Sequence, residues 1–427
     1  MKKTFFYIFF CFLLIIYIYS IVFDAFPLSS KIILEVIGLL GCLKYFFNNY
    51  ALRREYRTVI QLFLLIIVWD IITSFMNGQR EFHLIKDMVP TLGSIFGAQL
   101  LYSVSRKYIK SPDDFLYILV VTIFGESVLS ILMKAFPPIY SFVDSFLVFD
   151  FGSDTIENIF DLARLFGIGN AHYFGVLAST VLGTMTAVYL MSRTSNIPRK
   201  ALLIIMWMVI SFTSFMTARW SILIVGLSFL YFIISLTGKS LGARLGIVLL
   251  SIIVGAFALA ITTSNVDSDV QDWAFGYFID SDSSDHSAEI VEGWWRNTRF
   301  DPKTFIIGDA QYVDPRGGYY MHVDVGYFRE IFYGGIIGLM IIILSHIRIL
   351  KLTYRKSKEK SIKFLLVFLL FGYLAAMAKG NLNMMTFYIL YMVFYTDGIF
   401  YTKKQNKLFL LKHIDTNGTN RFLLLFL

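Results

Sequence analysis

Stretches of about twenty consecutive, mostly apolar residues recur about twelve times along this chain. A bilayer core about 30 Å thick takes roughly 20 such residues per helix, so each stretch has the length of one crossing. They lie near residues 4–23, 29–47, 58–76, 88–105, 114–136, 171–191, 200–217, 219–237, 244–263, 326–346, 363–379 and 383–401. The chain is 57% hydrophobic and 16% charged, where soluble domains carry about 45–50% apolar and 25% charged residues. That balance excludes a soluble enzyme, a disordered protein and a secreted disulfide scaffold. Cys11 and Cys42 both sit inside apolar runs, so no disulfide framework is expected. The first stretch follows Met1-Lys2-Lys3 and reads as an anchoring span. It is too long for a signal peptide, and no small-x-small cleavage site precedes Asp24.

The net charge of +8 would suggest a nucleic-acid partner in a soluble domain. Here most Lys and Arg fall in alternate connections, such as SRTSNIPRK and RILKLTYRKSKEKSIK. Basic connections mark the cytoplasmic side of a multi-span chain, so no nucleic-acid partner is expected and both termini are expected inside. The expected fold class is all-α: a polytopic integral membrane protein of about 12 helices with one large late outer loop. Its expected parts are a bundle over 1–263, holding about nine helices and a smaller outer loop at 137–170, and the large outer loop over 264–325. A bundle of about three helices over 326–402 and a cytoplasmic tail over 403–427 follow. Within the spans Asp70, Glu126 and Lys134 are exceptional. Asp70 and Glu126 are expected to serve as polar partners between helices.

Both long connections fall on the outer side, where loops on one face of a bundle tend to carry function. The large loop is acidic from Ser264 to Gly293 and mixed in charge beyond it. Its DSDSSD run resembles the start of a calcium loop but has Asp285 where glycine and Val291 where glutamate would be needed, so a solvated acidic loop explains it. No His and Cys spacing for zinc or iron occurs, and no metal or other cofactor is expected. Trp294 and Trp295 stand beside Arg296 and Arg299 in GWWRNTRF. Such a pair either anchors the chain at the membrane surface or offers a platform for sugar faces.

The most specific stretch is DPRGGYYMHVDVGYFREIFYGGIIGL, which places Arg316, His322, Asp324 and Arg329 at the outer boundary just before a span. Ionisable groups at that depth are costly unless paired or functional. Asp324 has the alternative role of a helix cap, which accounts for neither the histidine nor the arginines. The smaller loop ends in ARLFGIGNAHYFG, with Arg164, His172 and Gly175, and Arg219 lies in TARWS between two spans. A lone arginine there could equally snorkel to the interface. Arg164, Arg219, Arg316 and Arg329 nevertheless fall on one side at one depth. Guanidiniums bind phosphate oxygens bidentately, so their convergence points to a polyanionic ligand. A sugar departing from a diphosphate leaves charge that needs neutralising, and the incoming hydroxyl needs a base such as His322 or Asp324.

At these residues the sequence resembles the bacterial O-antigen and capsular polysaccharide polymerases (Wzy-type), relatives of the O-antigen ligases. ARLFGIGNAHYFG is similar to their arginine–ten–glycine pattern, carried by Arg164 and Gly175. TARWS is similar to their turn pairing a threonine or serine with an arginine, carried by Thr217 and Arg219. HVDVGYFREIFYGGIIGL resembles the element after their late loop, carried by His322, Asp324, Gly326, Gly335 and Gly338. Two departures stand out. Arg316 precedes Gly326 by one position fewer than the pattern asks, and His322 is followed by Val323 and Asp324 where ligases favour His-Asn.

The resemblance implies a membrane architecture like that of GT-C glycosyltransferases, a bacterial cytoplasmic-membrane location, and a metal-independent reaction joining undecaprenyl-diphosphate-linked oligosaccharide repeat units on the outer face. Under it His322 and Asp324 are the catalytic candidates, and Arg164, Arg219, Arg316, Arg329, His172, Trp294, Trp295, Arg296 and Arg299 the substrate-binding ones. Membrane lipids, a chain-length regulator and a flippase are the implied partners. The competing expectations are an O-antigen ligase acting on a lipid A core and a flippase or transporter for the same lipid-linked saccharide.

Overall fold

The computed structural model describes residues 2–48, 50–109, 111–148, 165, 167–168, 174–218, 221–235, 293, 295–296, 298–315, 318–357, 359–378, 380 and 384–396. Most of them are helical. In chain order the helices are α1 (Lys2–Tyr19), α2 (Ser30–Asn48), α3 (Tyr50–Asn77), α4 (His83–Ser105), α5 (Pro112–Ala135), α6 (Pro137–Asp144), α7 (Phe174–Arg193), α8 (Ile197–Thr217) and α9 (Ser221–Ser235). There follow the short α10 (Pro302–Ile306), then α11 (Gly326–Lys356), α12 (Lys360–Met377) and α13 (Met385–Thr396). Among the described residues five segments are, by length and composition, long and apolar enough to cross a membrane: Arg57–Asn77 of α3, α5, α8, α11 and α12.

The helices begin where local chemistry directs. Ser111 accepts a hydrogen bond from the Asp114 amide with Pro112 in the first turn, Asp113 and Asp114 stand in that turn, and Lys134 in the last. The two aspartates and the lysine oppose the partial charges of the helix ends, while Ser111 and Pro112 answer the helix's unpaired first amides. Asn196 caps α8 in the same way, accepting from the Arg199 amide at 2.9 Å. Two features differ from the hydropathy reading. A short antiparallel hairpin, β1 (Val22–Phe23) with β2 (Phe26–Ser29), joins α1 to α2. Helix α11 runs on past the apolar stretch through ILKLTYRK to Lys356. The expected span at 244–263, the tail at 403–427 and most of both outer loops lie outside the described residues.

Helix α7 lies at the centre, packed by α5, α8, α9 and α12. Its side chains from Val176 to Met191 are buried all round, as are those of 386–396, the pattern of an interior helix. Outer helices are the reverse. On α3, Leu64, Leu65, Val68, Ile71, Ile72 and Phe75 are exposed while Phe63, Ile66 and Asp70 are buried. An apolar stripe of that extent facing outward suits a hydrocarbon surround.

Polar contacts identify the two ends of the bundle. At one end Arg193, closing α7, bonds Asp113 of α5 at 2.7 Å and Glu359 ahead of α12. At the other, the last turn of α3, the first turn of α4 and the first turns of α11 meet the late loop. Glu126 and Asp70 act between helices as expected. Glu126 accepts from Tyr19 at 3.2 Å and Ser130 at 2.8 Å, and buried Asp70 accepts from Tyr333 at 2.5 Å and the Ile85 amide at 2.8 Å.

Candidate functional site

The site is built around a break in α11. Gly335 takes φ 67 and ψ −179 inside the helix, a conformation open to glycine and strained for other residues. The break frees the carbonyls of the preceding turn, and buried carbonyls need partners. Three donors from elsewhere supply them. The Asp309 amide donates to Phe332 O at 2.6 Å, the Ala310 amide to Tyr333 O at 2.9 Å, and the Trp69 indole Nε1 to Gly334 O at 2.7 Å. Gly308 and Gly335 approach so closely that a Cβ at either would meet backbone of the other segment, Tyr333 and Ile306 respectively.

The loop is held from the helix ends as well. Asn77, closing α3, donates to Gly308 O at 3.1 Å and accepts from Lys303. Glu81 accepts from the Tyr312 amide at 2.7 Å. Asp301 caps α10 through the Lys303 and Thr304 amides, both at 2.9 Å, and these bonds hold its exposed carboxyl below the usual range.

This docking assembles a polar and aromatic cluster. The guanidinium of Arg329 lies 4.3 Å from the Tyr312 ring centre and 3.6 Å from that of Tyr319. Its Nη1 is 3.6 Å from Asp324 Oδ1, its side chain is 10% exposed, and its Nε has no hydrogen-bond partner. Across Tyr312, the His83 ring stacks at 3.4 Å between centroids. His83 is fixed by its own amide, which donates to the Tyr333 hydroxyl at 2.8 Å, and its Nε2 lies 3.6 Å from Asp87 Oδ2. His83 and Asp87 precede the apolar stretch that begins near residue 88. Burial pushes the His83 imidazole down to about 3, with Arg329 and then Lys86 adding repulsion. Burial raises the Asp87 carboxyl to about 6 against the opposing pull of Arg329.

Backbone strain gathers at the same place. Phe82, Ala310, Met321 and His322 all have positive φ without being glycine, and only Ser20 shares that property among the described residues. Each such residue costs about 1–3 kcal/mol and persists only where surrounding contacts over-determine it.

Of the residues singled out from the sequence, Asp324 and Arg329 are brought together. His322 is exposed on the strained turn beside them. Trp295, 46% exposed, packs its ring 4.6 Å from that of Phe328, so it joins the first turn of α11. Arg296 and Arg299 are exposed, and Arg299 donates to the Arg296 carbonyl at 2.8 Å. Arg164, His172, Arg219, Arg316 and Trp294 lie outside the described residues. Their neighbours show one relevant contact: the Leu165 amide donates to Met216 O at 3.1 Å, joining the two arginine-bearing segments by their backbones.

Sequence reasoning passed over His83, Asp87, Tyr312 and Tyr319. One signal was present: the connector NGQREFHLIKD is charged and short for a stretch between two apolar spans. Among the described residues no group of three or more His, Cys, Asp or Glu side chains could hold a metal ion. The residues that can engage a ligand are instead carboxylates, a guanidinium, an imidazole and tyrosines. The structure thus defines a mostly helical protein with a polar, aromatic site at one end of its bundle. Comparison with family models, with curated proteins and with solved structures finds no match to the chain.

Proposed function

We propose that the chain is a polytopic membrane glycosyltransferase of the cytoplasmic membrane that joins undecaprenyl-diphosphate-linked oligosaccharide repeat units on the outer face. The observation that carries this reading is the docking of the late loop on the broken α11, which sets Asp324 against Arg329 beneath an aromatic rim. A helical bundle with its chemistry at one end, under a loop, suits a substrate whose lipid stays in the bilayer and whose head lies at its surface. The resemblance of Arg164, Gly175, Thr217, Arg219, His322 and Asp324 to polymerase patterns supports the same choice.

In this reaction the hydroxyl oxygen of an acceptor sugar attacks the anomeric carbon of the donor glycan. The bond from that carbon to the phosphate oxygen breaks, and undecaprenyl diphosphate departs with the electron pair. Asp324 or His322 takes the acceptor proton. Arg164, Arg219 and Arg316 neutralise the leaving diphosphate. Trp295 stands beside α11 where a sugar chain would pass.

The test is to give the purified protein a lipid-linked repeat unit and resolve the products by size. A ladder without any lipid A core acceptor supports polymerisation. Transfer only when a core is present would make the protein a ligase. Absence of elongation, with unflipped lipid-linked units accumulating in cells that lack the protein, would make it a transporter.

A further inference from the structure

We infer that His83 and Asp87, at the start of α4, belong to the same site as Arg329 and Asp324, and that these four residues receive a neutral polyhydroxylated sugar ring, the acceptor, while the diphosphate binds elsewhere. The inference rests on the glycosyltransferase reading and names the substrate part that this cluster takes.

Charge argues first. Among the described residues Arg329 is the one cation in contact with the aromatic rim, and Asp324 already stands 3.6 Å from it. Asp87 is a second carboxylate within the field of the same guanidinium. A dianionic diphosphate entering here would face both carboxylates at short range, in surroundings drier than water, where like charges repel strongly. Sugar hydroxyls reverse that problem, since each donates to a carboxylate and accepts from a cationic N–H.

Unmet hydrogen bonding argues second. Arg329 Nε and His83 Nε2 are both buried without a hydrogen-bond partner, and the Arg329 side chain is nine-tenths buried. A buried donor left unpaired is costly, and a ligand oxygen removes the cost. The floor of the site is therefore incomplete as it stands. Its rim is open: Tyr319, Met321 and His322 are exposed, and the Asp87 and Asp324 side chains are about a third exposed. Planar polar groups beside aromatic rings suit a sugar, which has polar edges and an apolar face.

Shape argues third. The strained backbone at Phe82, Ala310, Met321 and His322 borders this cluster from both segments that build it. Strain held in place by the docking of two segments is the expected signature of a preformed site.

The experiment uses the full chain in detergent and follows amide hydrogen exchange at 80–88 and 308–324. The probes are neutral methyl hexosides and methyl N-acetylhexosaminides, a methyl uronide and inorganic pyrophosphate. At least one neutral glycoside should slow exchange in both segments. Its apparent affinity should fall at least about tenfold in Asp87→Asn and in Arg329→Lys, the equivalent of one lost charged hydrogen bond. Pyrophosphate should leave both segments unchanged. Exchange without ligand reports whether each variant keeps the docked loop, and Asp324→Asn serves where Arg329→Lys does not. Protection by pyrophosphate that depends on Arg329, protection by the uronide alone, or no protection by any glycoside overturns the inference. A wild-type chain that binds glycosides but makes no ladder from lipid-linked units sinks the glycosyltransferase reading and leaves the subsite standing.

Discussion

The indole of Trp69 donates to the carbonyl oxygen of Gly334 at 2.7 Å, at the turn where α11 breaks. Trp69 belongs to α3, so this bond ties the broken turn to a neighbouring helix while the late loop ties it from above. Trp69→Phe keeps an aromatic ring, smaller than the indole, and removes the donor. It should destabilise the protein by about 1–3 kcal/mol, the cost of an orphaned buried carbonyl. Thermal unfolding in detergent measures this, and a change within error would mean that water replaces the indole.

The glycine pair offers a sharper separation of loop docking from bundle stability. Gly308→Ala and Gly335→Ala each place a Cβ against backbone of the opposite segment, at φ values of 87 and 67. Both should release the 308–315 stretch, raise its amide exchange and abolish ladder formation while the helices stay folded. Far-ultraviolet circular dichroism close to wild type with lost activity is the expected combination. Full activity in both variants would detach the docked loop from the chemistry.

The pH dependence of His83 and Asp87 runs in opposite senses. Folded His83 titrates near 3, against 6.5 for an ordinary histidine. As pH falls through 6.5 the unfolded chain takes up a proton that the folded one refuses, so this residue makes stability rise with pH in that window. Folded Asp87 titrates near 6, against 3.8 for an ordinary aspartate. It holds a proton that the unfolded chain releases, so its contribution is present at low pH and is lost as pH rises toward 6. The two offset each other in the native protein. Asp87→Asn should therefore melt at higher temperature as pH rises from about 4.5 to 6.5, and His83→Gln at lower temperature. Parallel slopes in the two variants would contradict the half-buried arrangement of the pair.

At the far end of the bundle, Arg193 bonds both Asp113 and Glu359, about one third exposed. Arg193→Ala should lower stability by about 1 kcal/mol or less, as partly exposed ion pairs do. Ladder formation per folded molecule should be unchanged. Asp324→Asn should show the converse, elongation lost while the bundle stays folded. Elongation kept in this variant would take Asp324 out of the site and leave His322 as the base.

Much of the architecture was readable from hydropathy because a membrane-spanning helix writes itself into consecutive residues. The expected spans and the observed helices α3, α4, α5, α7, α8 and α12 coincide in location, with ends differing by several residues at most for all but α3 and α4, whose polar first turns lie before the apolar stretch. Helix α11 outran its expected end because the basic ILKLTYRK segment forms good helix without being apolar. The site was readable only in half. Asp324 and Arg329 are five positions apart and could be seen together, whereas Glu81 meets Tyr312 and His83 meets Tyr333 across more than two hundred residues. No periodicity announces such a pairing.

What the amino-acid sequence determined by itself is the set of apolar helices, the polar ends that separate them, and the concentration of arginine, histidine and aspartate in the late loop. Local hydrophobicity and capping suffice for these, since each depends on neighbours in the chain. Tertiary structure alone decided that α11 breaks at Gly335, that the freed carbonyls take Asp309, Ala310 and Trp69 as donors, and that His83 stacks on Tyr312, the ring that Arg329 also faces. The reason is physical. A buried carbonyl must find a donor, and the donors that satisfy these come from distant segments that only the packed bundle brings within 3 Å.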